Sequence, residues 1–205
     1  MEKAGLEDYR PRWKAYNKLY SPALAMQIRR DLGSNFIVIK PINSGRSNGI
    51  IMVHRNQLDP TLQKLFGSQT TTTNHTQKDS LNHRPKNPKL SEYWQNDTND
   101  FFLAESMEES KTIVHEGNPY DPTMRVVFIL CHSAGKISTT ILGGYWKIPP
   151  KPLSDSTASL TEQHKTVSMH NDYTAIKVAP EDFDQVKSIL YKILPRIYEG
   201  MLLQA

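Results

Sequence analysis

The strongest constraint on the fold is a capped helix followed by two apolar segments in the first third of the chain. Ser21 and Pro22 are typical of the first positions of a helix, and Gly33 is typical of the residue after its end. Residues 36–41 (FIVIKP) form a short apolar segment rich in β-branched side chains, which indicates a buried strand. A second apolar segment, residues 49–54, follows a Gly-containing loop, so the sequence predicts a helix and a hairpin.

The rest of the chain continues this mixture of helices and strands. Further strands are predicted at residues 100–107, 112–115, 124–132 and 137–145, and further helices at residues 59–67 and from residue 180 onward. Residues 133–136 (SAGK) form a tight turn, so the last two strands are predicted to form a long antiparallel hairpin. Pro195 is expected to kink the last helix because proline lacks an N–H donor. The order of the elements predicts an α+β fold with largely antiparallel sheets.

A polar stretch divides the chain. Residues 67–100 contain almost no aliphatic side chains. The sequence therefore predicts one domain over residues 1–205, with a first lobe at 21–67, a polar mobile insert at 68–100 and a second lobe at 101–205. Residues 68–97 are expected to be dispensable for folding, because they offer too little apolar surface to offset the entropy of ordering them. Leu90, Tyr93 and Trp94 are the apolar exceptions.

Charge and cysteine content exclude few classes of protein. The formal net charge of +4 mildly favours phosphates, but it also suits an ordinary solvated surface. The single cysteine, Cys131, excludes an internal disulfide and is expected to be a buried structural residue. No apolar run is long enough for a membrane span, and the N-terminus lacks the apolar core of a signal peptide. We expect a cytoplasmic protein, or one that reaches a host cytosol without a cleavable signal.

Lys40 is the first candidate for binding chemistry. It lies near the end of an apolar strand, where an ammonium group must reach either water or an anion. Residues 44–49 (SGRSNG) follow it with small side chains, approachable backbone N–H groups and the cation Arg46, a combination that suits phosphate oxygens. A simple β-turn remains the alternative, since no P-loop string is present.

Four segments together resemble the ATP-grasp family. Residues 36–53 are similar to its first nucleotide-binding hairpin, and residues 103–107 (LAESM) to the strand between its lobes. Residues 120–130 resemble its Asp-x-Arg strand, with two residues inserted, and residues 144–149 resemble the partner strand. The related fold of phosphoribosylaminoimidazole-succinocarboxamide (SAICAR) synthetase is a close alternative.

The resemblance implies a two-lobed domain that binds ATP, ADP or AMP. It implies that Lys40 contacts phosphate oxygens, that Glu105 and its neighbours contact adenine and ribose, and that further cations hold the phosphates. The residues assigned in this way are Lys40, Ser44, Gly45, Arg46, Ser47, Glu105, Ser106, Met107, Arg125 and Lys147.

The resemblance leaves catalysis open. Family members carry their Mg²⁺ ligands on strands after the helix that corresponds to residues 180–198, and this sequence stops at Ala205. Mg²⁺ use is therefore left open, no metal ligand or catalytic residue is assigned, and binding without turnover is expected. If active, the protein would be an ATP-dependent ligase or a kinase-like enzyme. The remaining acidic candidates are Asp121, Asp155 and Asp172.

Other classes of function stay open beside nucleotide binding. One is a protein-interaction module that has kept the fold without the ligand and binds a host or cognate protein, in the manner of the bacterial effectors that the polar loops resemble. Another is a basic module for RNA or phosphate. A Cys131–His132 catalytic pair is unfavourable, since adjacent residues of a strand point to opposite faces. The histidines show no zinc-ligand spacing.

Overall fold

The computed structural model describes residues 5–42, 49–67, 93–94, 97–164 and 174–202. The chain divides into two compact units. Residues 11–108 form one, called the sheet unit below, and residues 1–10 with 109–205 form the other, called the hairpin unit. The strands are β1 Trp13–Asn17, β2 Phe36–Pro41, β3 Ile51–His54, β4 Phe101–Ser106, β5 Ile113–His115, β6 Asn118–Tyr120, β7 Thr123–Ser133, β8 Lys136–Ile148 and β9 Thr174–Lys177. The helices are α1 Pro22–Leu32, α2 Leu58–Phe66, α3 Leu160–His164 and α4 Pro180–Leu202.

The sheet unit contains a four-stranded antiparallel sheet in the order β1-β4-β2-β3. Helix α1 begins after Ser21 and has Pro22 in its first turn. It ends before Gly33, whose φ of 63° is left-handed, so the helix has the start and end that Ser21, Pro22 and Gly33 predict. Its apolar positions Leu24, Ile28 and Leu32 are buried. The helix and the hairpin predicted from this part of the sequence are therefore confirmed.

Aromatic side chains fill much of the core of this unit. Phe102 is fully buried and contacts the rings of Phe66 and Trp94, at centroid distances of 5.0 and 6.4 Å. Trp94 comes from the end of the predicted polar insert, and its Nε1–H donates a hydrogen bond of 2.8 Å to the carbonyl of Gly49. The C-terminal end of the insert thus belongs to the core. The greater part of the insert, residues 68–92, lies outside the described residues.

A buried ion pair holds the same end of the insert. Lys18 Nζ lies 2.7 Å from Asp97 Oδ2, and the two side chains are 5% and 8% exposed. The Lys18 ammonium also lies 5.8 Å from the centre of the Trp94 ring. Residues 94 and 97 therefore hold the chain directly before β4 against β1 and the core, where the sequence predicts a dispensable segment.

The hairpin unit contains a three-stranded antiparallel sheet in the order β7-β8-β9 and the small hairpin β5–β6. Ala134 and Gly135 join β7 to β8 with φ values of 48° and 72°, the left-handed pair that a tight hairpin turn requires. Helix α4 packs against β8 and continues through Pro195, which does not end it. The long hairpin and the last helix are confirmed.

The two compact units and the two predicted lobes have different bounds. The sequence interpretation places residues 101–106 in the second lobe, whereas β4 lies in the sheet unit because it pairs with both β1 and β2. All described strand pairs are antiparallel, so the α+β class with mainly antiparallel sheets is confirmed. No helix among the described residues is long and apolar enough to cross a membrane.

Candidate functional site

Among the residues that the structure describes, both helices of the sheet unit lie on one face of its sheet, and no helix of this unit lies on the other face. Alternation along the strands sends Ile37, Ile39, Phe102 and Ala104 into the core. The intervening side chains share the opposite surface, called the open face below. They are Trp13, Ala15 and Asn17 of β1, Phe101, Leu103 and Glu105 of β4, Phe36, Val38 and Lys40 of β2, and Met52 and His54 of β3. This surface is mostly apolar with one pair of charges near its middle.

Lys40 and Glu105 form that pair. Lys40 is in register with Leu103 and Glu105 with Val38, so the two charged residues are diagonal neighbours on adjacent strands. Lys40 Nζ contacts Glu105 Oε2 directly, and the two side chains are 29% and 22% exposed. Two residues assigned separately from the sequence, one to phosphate and one to adenine or ribose, are therefore in contact.

Ser106 and Met107 are already engaged within the sheet unit. The Ser106 hydroxyl donates to Glu108 over 2.8 Å and accepts from the Arg12 N–H over 3.0 Å. The Met107 N–H donates to the carbonyl of Phe36 over 3.0 Å. These groups hold the end of β4 in place, and the Glu105 side chain reaches the open face.

The end of the loop between β2 and β3 is fixed by the core. Gly49 has a φ of 77°, and a Cβ atom added to it would lie 2.6 Å from the Tyr93 ring and 2.8 Å from Pro41. Only glycine suits this position, because both the backbone conformation and the space exclude a side chain. The loop residues assigned to phosphate, Ser44, Gly45, Arg46 and Ser47, lie outside the described residues.

Arg125 and Lys147 belong to the hairpin unit. Arg125 is in register with Tyr145 and Thr123 with Lys147, so the two cations share one face of the β7–β8 hairpin. Lys147 is only 6% exposed. Burial lowers the pKa of its ammonium group, and the positive charge of Arg125 lowers it further.

The acidic candidates do not converge. Asp155 accepts hydrogen bonds from Thr157 in a local turn, and Asp172 lies outside the described residues.

Asp121 is buried beside Ser110 and His164. Its Oδ1 accepts hydrogen bonds from the Ser110 N–H and hydroxyl, and its Oδ2 lies 2.5 Å from His164 Nδ1. Sequence reasoning missed this cluster, because Asp121 and His164 are 43 residues apart with no shared pattern.

The neighbours of the Asp121 carboxyl favour its charged form. Burial alone would raise its pKa, but the hydrogen bonds from His164 and Ser110 outweigh burial and hold the pKa below its ordinary value. Within the described ranges, no group of three or more His, Cys, Asp and Glu side chains could hold a metal ion.

Cys131 is exposed, which corrects the expectation of a buried structural cysteine. It lies on the strand β7, whose outer half is open to solvent.

Comparison with known proteins yields a distant structural likeness. No protein-family model matches the sequence, and no curated protein matches it. Among solved structures, the chain is similar to D-alanyl-alanine synthetase A from Vibrio cholerae, with 13% identity and a TM-score of 0.47. The match covers 98% of this chain and 46% of that one, so this chain spans about half the length of the synthetase. A likeness at this level carries no inference about ligand or activity.

Proposed function

We propose that the sheet unit binds an adenine nucleotide on its open face. The observation that carries the proposal is the half-buried Lys40–Glu105 pair, which lies among apolar side chains. Val38, directly opposite Glu105, is only 7% exposed, so the pair lies beside buried apolar surface while its two side chains stay 29% and 22% exposed. The pair is therefore within reach of a ligand, and a bound group would shield it from water and strengthen its contacts.

The pair matches the chemistry of a nucleotide. The Lys40 ammonium has donors for phosphate oxygens, and the Glu105 carboxylate accepts from a ribose hydroxyl or an adenine amino group. Leu103, Val38 and Met52 lie on the same face and offer an apolar surface to a purine ring. A ligand with an anion, a hydrogen-bond donor and an aromatic ring uses all three features.

The wider assignment remains part of the proposal. It treats the chain as an ATP-grasp-like domain, in which Ser44, Gly45, Arg46 and Ser47 provide backbone and cationic contacts to phosphate. Arg125 and Lys147 of the hairpin unit are candidates for phosphate contacts as well. Because the described carboxylates form no cluster of metal ligands, no Mg²⁺ ligand is assigned.

Calorimetric titration with ATP, ADP, AMP and adenosine tests the proposal, each with and without Mg²⁺. We expect binding of ATP and ADP, and a rise in melting temperature at saturating ligand because only the folded state binds. An affinity near micromolar corresponds to about −8 kcal/mol. No heat and no thermal shift at millimolar ATP would contradict the proposal.

Two variants test the roles within the pair. Lys40→Ala should weaken ATP and ADP by roughly 10- to 150-fold and adenosine far less, since a charge-assisted hydrogen bond contributes about 1.5–3 kcal/mol. Glu105→Gln should weaken adenosine and ATP alike, because its carboxylate is assigned to ribose or adenine.

Lys14→Ala is the matched control for these variants. Lys14 is a lysine of the same sheet that pairs with a carboxylate, Asp31 at 2.8 Å, but its strand position sends it to the helix-covered face. It should leave nucleotide affinity unchanged. Equal losses of nucleotide affinity in Lys14→Ala and Lys40→Ala would show that affinity depends on the net charge of the sheet unit and that the open face is not the binding site.

A further inference from the structure

The open face carries a large aromatic side chain next to the Lys40–Glu105 pair. Trp13 on β1 lies directly opposite Glu105 on β4, so the two side chains are cross-strand neighbours on this face. Trp13 is 41% exposed. Its indole also has a further interaction within the protein, so a ligand would meet the part of the ring that stays exposed. An aromatic surface therefore lies beside the carboxylate that is assigned to adenine or ribose.

The two sides of Glu105 differ in what they offer a ligand. Its cross-strand neighbours are Trp13 on β1 and Val38 on β2. Val38 is 7% exposed and offers almost no surface, whereas Trp13 combines a large ring with the exposure given above. A purine that contacts Glu105 therefore finds exposed apolar surface on the β1 side.

The position next to Trp13 leaves room for a flat ring. Ala15 lies two residues further along β1, on the same face, and its side chain is small and exposed. Residues two apart on a strand are about 7 Å apart, and rings in van der Waals contact are about 3.5 Å apart. A purine above Ala15 can therefore contact the face of the Trp13 indole.

The spacing of the strands fits the length of a nucleotide. Ala15, Leu103 and Lys40 are in register across β1, β4 and β2. Adjacent strands are about 4.8 Å apart, so the backbones of Ala15 and Lys40 are separated by about 10 Å. An adenine nucleotide with its purine above Ala15 can reach Lys40 with its phosphates, and its ribose then lies over Leu103. Glu105 lies one position further along β4 on this face, close to both the purine and the ribose.

We propose that Trp13 stacks on the base of the bound nucleotide, with the purine above Ala15 and the phosphates at Lys40. This inference rests on the proposed function and narrows it to the β1 side of the open face. Stacking on an aromatic side chain holds every base in a similar way. Trp13 therefore contributes affinity for the ring, while any choice among bases depends on hydrogen-bonding groups such as Glu105.

Fluorescence of the wild-type chain is the first test, because its three tryptophans differ in exposure. Trp94 and Trp146 are 2% and 7% exposed, so acrylamide quenches mainly Trp13. Excitation at wavelengths that adenine does not absorb leaves the protein emission undisturbed by the ligand. Saturating ADP should lower the acrylamide quenching constant of the wild type to that of Trp13→Phe, in which only the two buried tryptophans remain.

Calorimetry of three variants separates stacking from other effects. Trp13→Ala should weaken ADP and adenosine by the same factor, roughly 5- to 150-fold, because both ligands carry the base. Trp13→Phe keeps an aromatic ring and should retain affinity within about fivefold of the wild type. Phe101→Ala is the matched control and should leave both affinities unchanged. Phe101 is 46% exposed on the same face, but it lies about 14 Å from Glu105 along β4.

The failure of this inference can be told from failure of the proposed function, since calorimetry detects nucleotide without using Trp13. If ADP binds but Trp13→Ala leaves its affinity unchanged, or ADP does not protect Trp13 from acrylamide, stacking is wrong and the proposed function stands. Equal losses with Phe101→Ala, or a loss for ADP with adenosine affinity retained, would also overturn stacking. No binding of ADP or adenosine by the wild type overturns both proposals. Circular dichroism checks each variant, and should Trp13→Ala unfold, the quenching of the wild type decides.

Discussion

The two faces of the sheet in the sheet unit differ in what fills them. On the helix-covered face, Phe102 and Ile39 are fully buried among other apolar side chains. On the open face, Lys40 and Glu105 keep 29% and 22% of their side-chain surface exposed. The first face supplies the burial that stabilises the unit. The second face holds a charge pair that stays partly open to water, so we expect its removal to cost the fold little.

The two lysine pairs of this unit show the same contrast. The Lys18–Asp97 side chains are each less than one-tenth exposed, while those of Lys40–Glu105 are each more than one-fifth exposed. A buried charge that loses its partner cannot be solvated, whereas a half-exposed charge can turn to water. One pair is therefore expected to matter for folding and the other for ligand affinity.

The largest expected effect comes from shortening the polar insert. Replacing residues 68–92 by a short Gly/Ser linker should leave the sheet unit folded, since this stretch offers little apolar surface. Extending the deletion through residue 97 should prevent folding, because it removes Trp94 and Asp97. Circular dichroism and thermal denaturation of the two deletions distinguish these outcomes. A cooperative transition in the longer deletion would contradict the role assigned to this segment.

Phe102→Ala is expected to have the next largest effect. Truncation of a fully buried aromatic side chain typically costs 3–5 kcal/mol, and Phe102 contacts the rings of Tyr16, Phe66 and Trp94. Urea denaturation measures the loss. Phe101→Ala, one position away and 46% exposed on the open face, is the matched control and should cost less than about 1 kcal/mol. Equal losses of unfolding free energy in the two variants would show that the two faces of the sheet contribute equally to stability.

Lys18→Ala should cost about 3 kcal/mol of unfolding free energy, because it leaves the Asp97 carboxylate buried without its cation. Lys40→Ala, the corresponding change on the open face, should cost less than about 1 kcal/mol. The two variants are compared by urea denaturation under the same conditions. If Lys40→Ala were the more destabilising change, Lys40 would support the fold, and any loss of nucleotide affinity would be indirect.

The smallest expected effect is an acid sensitivity in the hairpin unit. The pKa of the Asp121 carboxyl is held below its ordinary value of 3.8, so its stabilising contribution is complete above that value. The contribution is lost as the pH falls through the lowered folded pKa, since the folded state then has to take up a proton. Between pH 6 and pH 3, Asp121→Asn should lose about 1 kcal/mol less unfolding free energy than the wild type. Parallel pH profiles would show that the contacts with Ser110 and His164 do not stabilise the charged form.

What the sequence predicts and what it misses follows from the distance between interacting residues. The ends of α1 and the β7–β8 turn depend on neighbours in sequence, so Ser21, Gly33 and Gly135 were sufficient to predict them. Lys40 and Glu105 were each chosen as candidates, but their contact spans 65 residues and depends on the register of β2 with β4. The strands β1 and β9 were missed, because their side chains are mostly exposed and give no apolar pattern. The strand β6 and the five-residue helix α3 were missed as well.

The place of β4 in the sheet has a consequence for synthesis of the chain. β4 lies between β1 and β2, yet it is made after both of them and after the whole polar insert. Arg12 and Ser106, which are joined by hydrogen bonds at the end of this sheet, are 94 residues apart. A ribosome that has not yet released β4 therefore holds two strands without the one that joins them. The backbone N–H and C=O groups that β4 will pair stay unpaired during that interval, and these edges are then most open to capture by a chaperone or by another nascent chain.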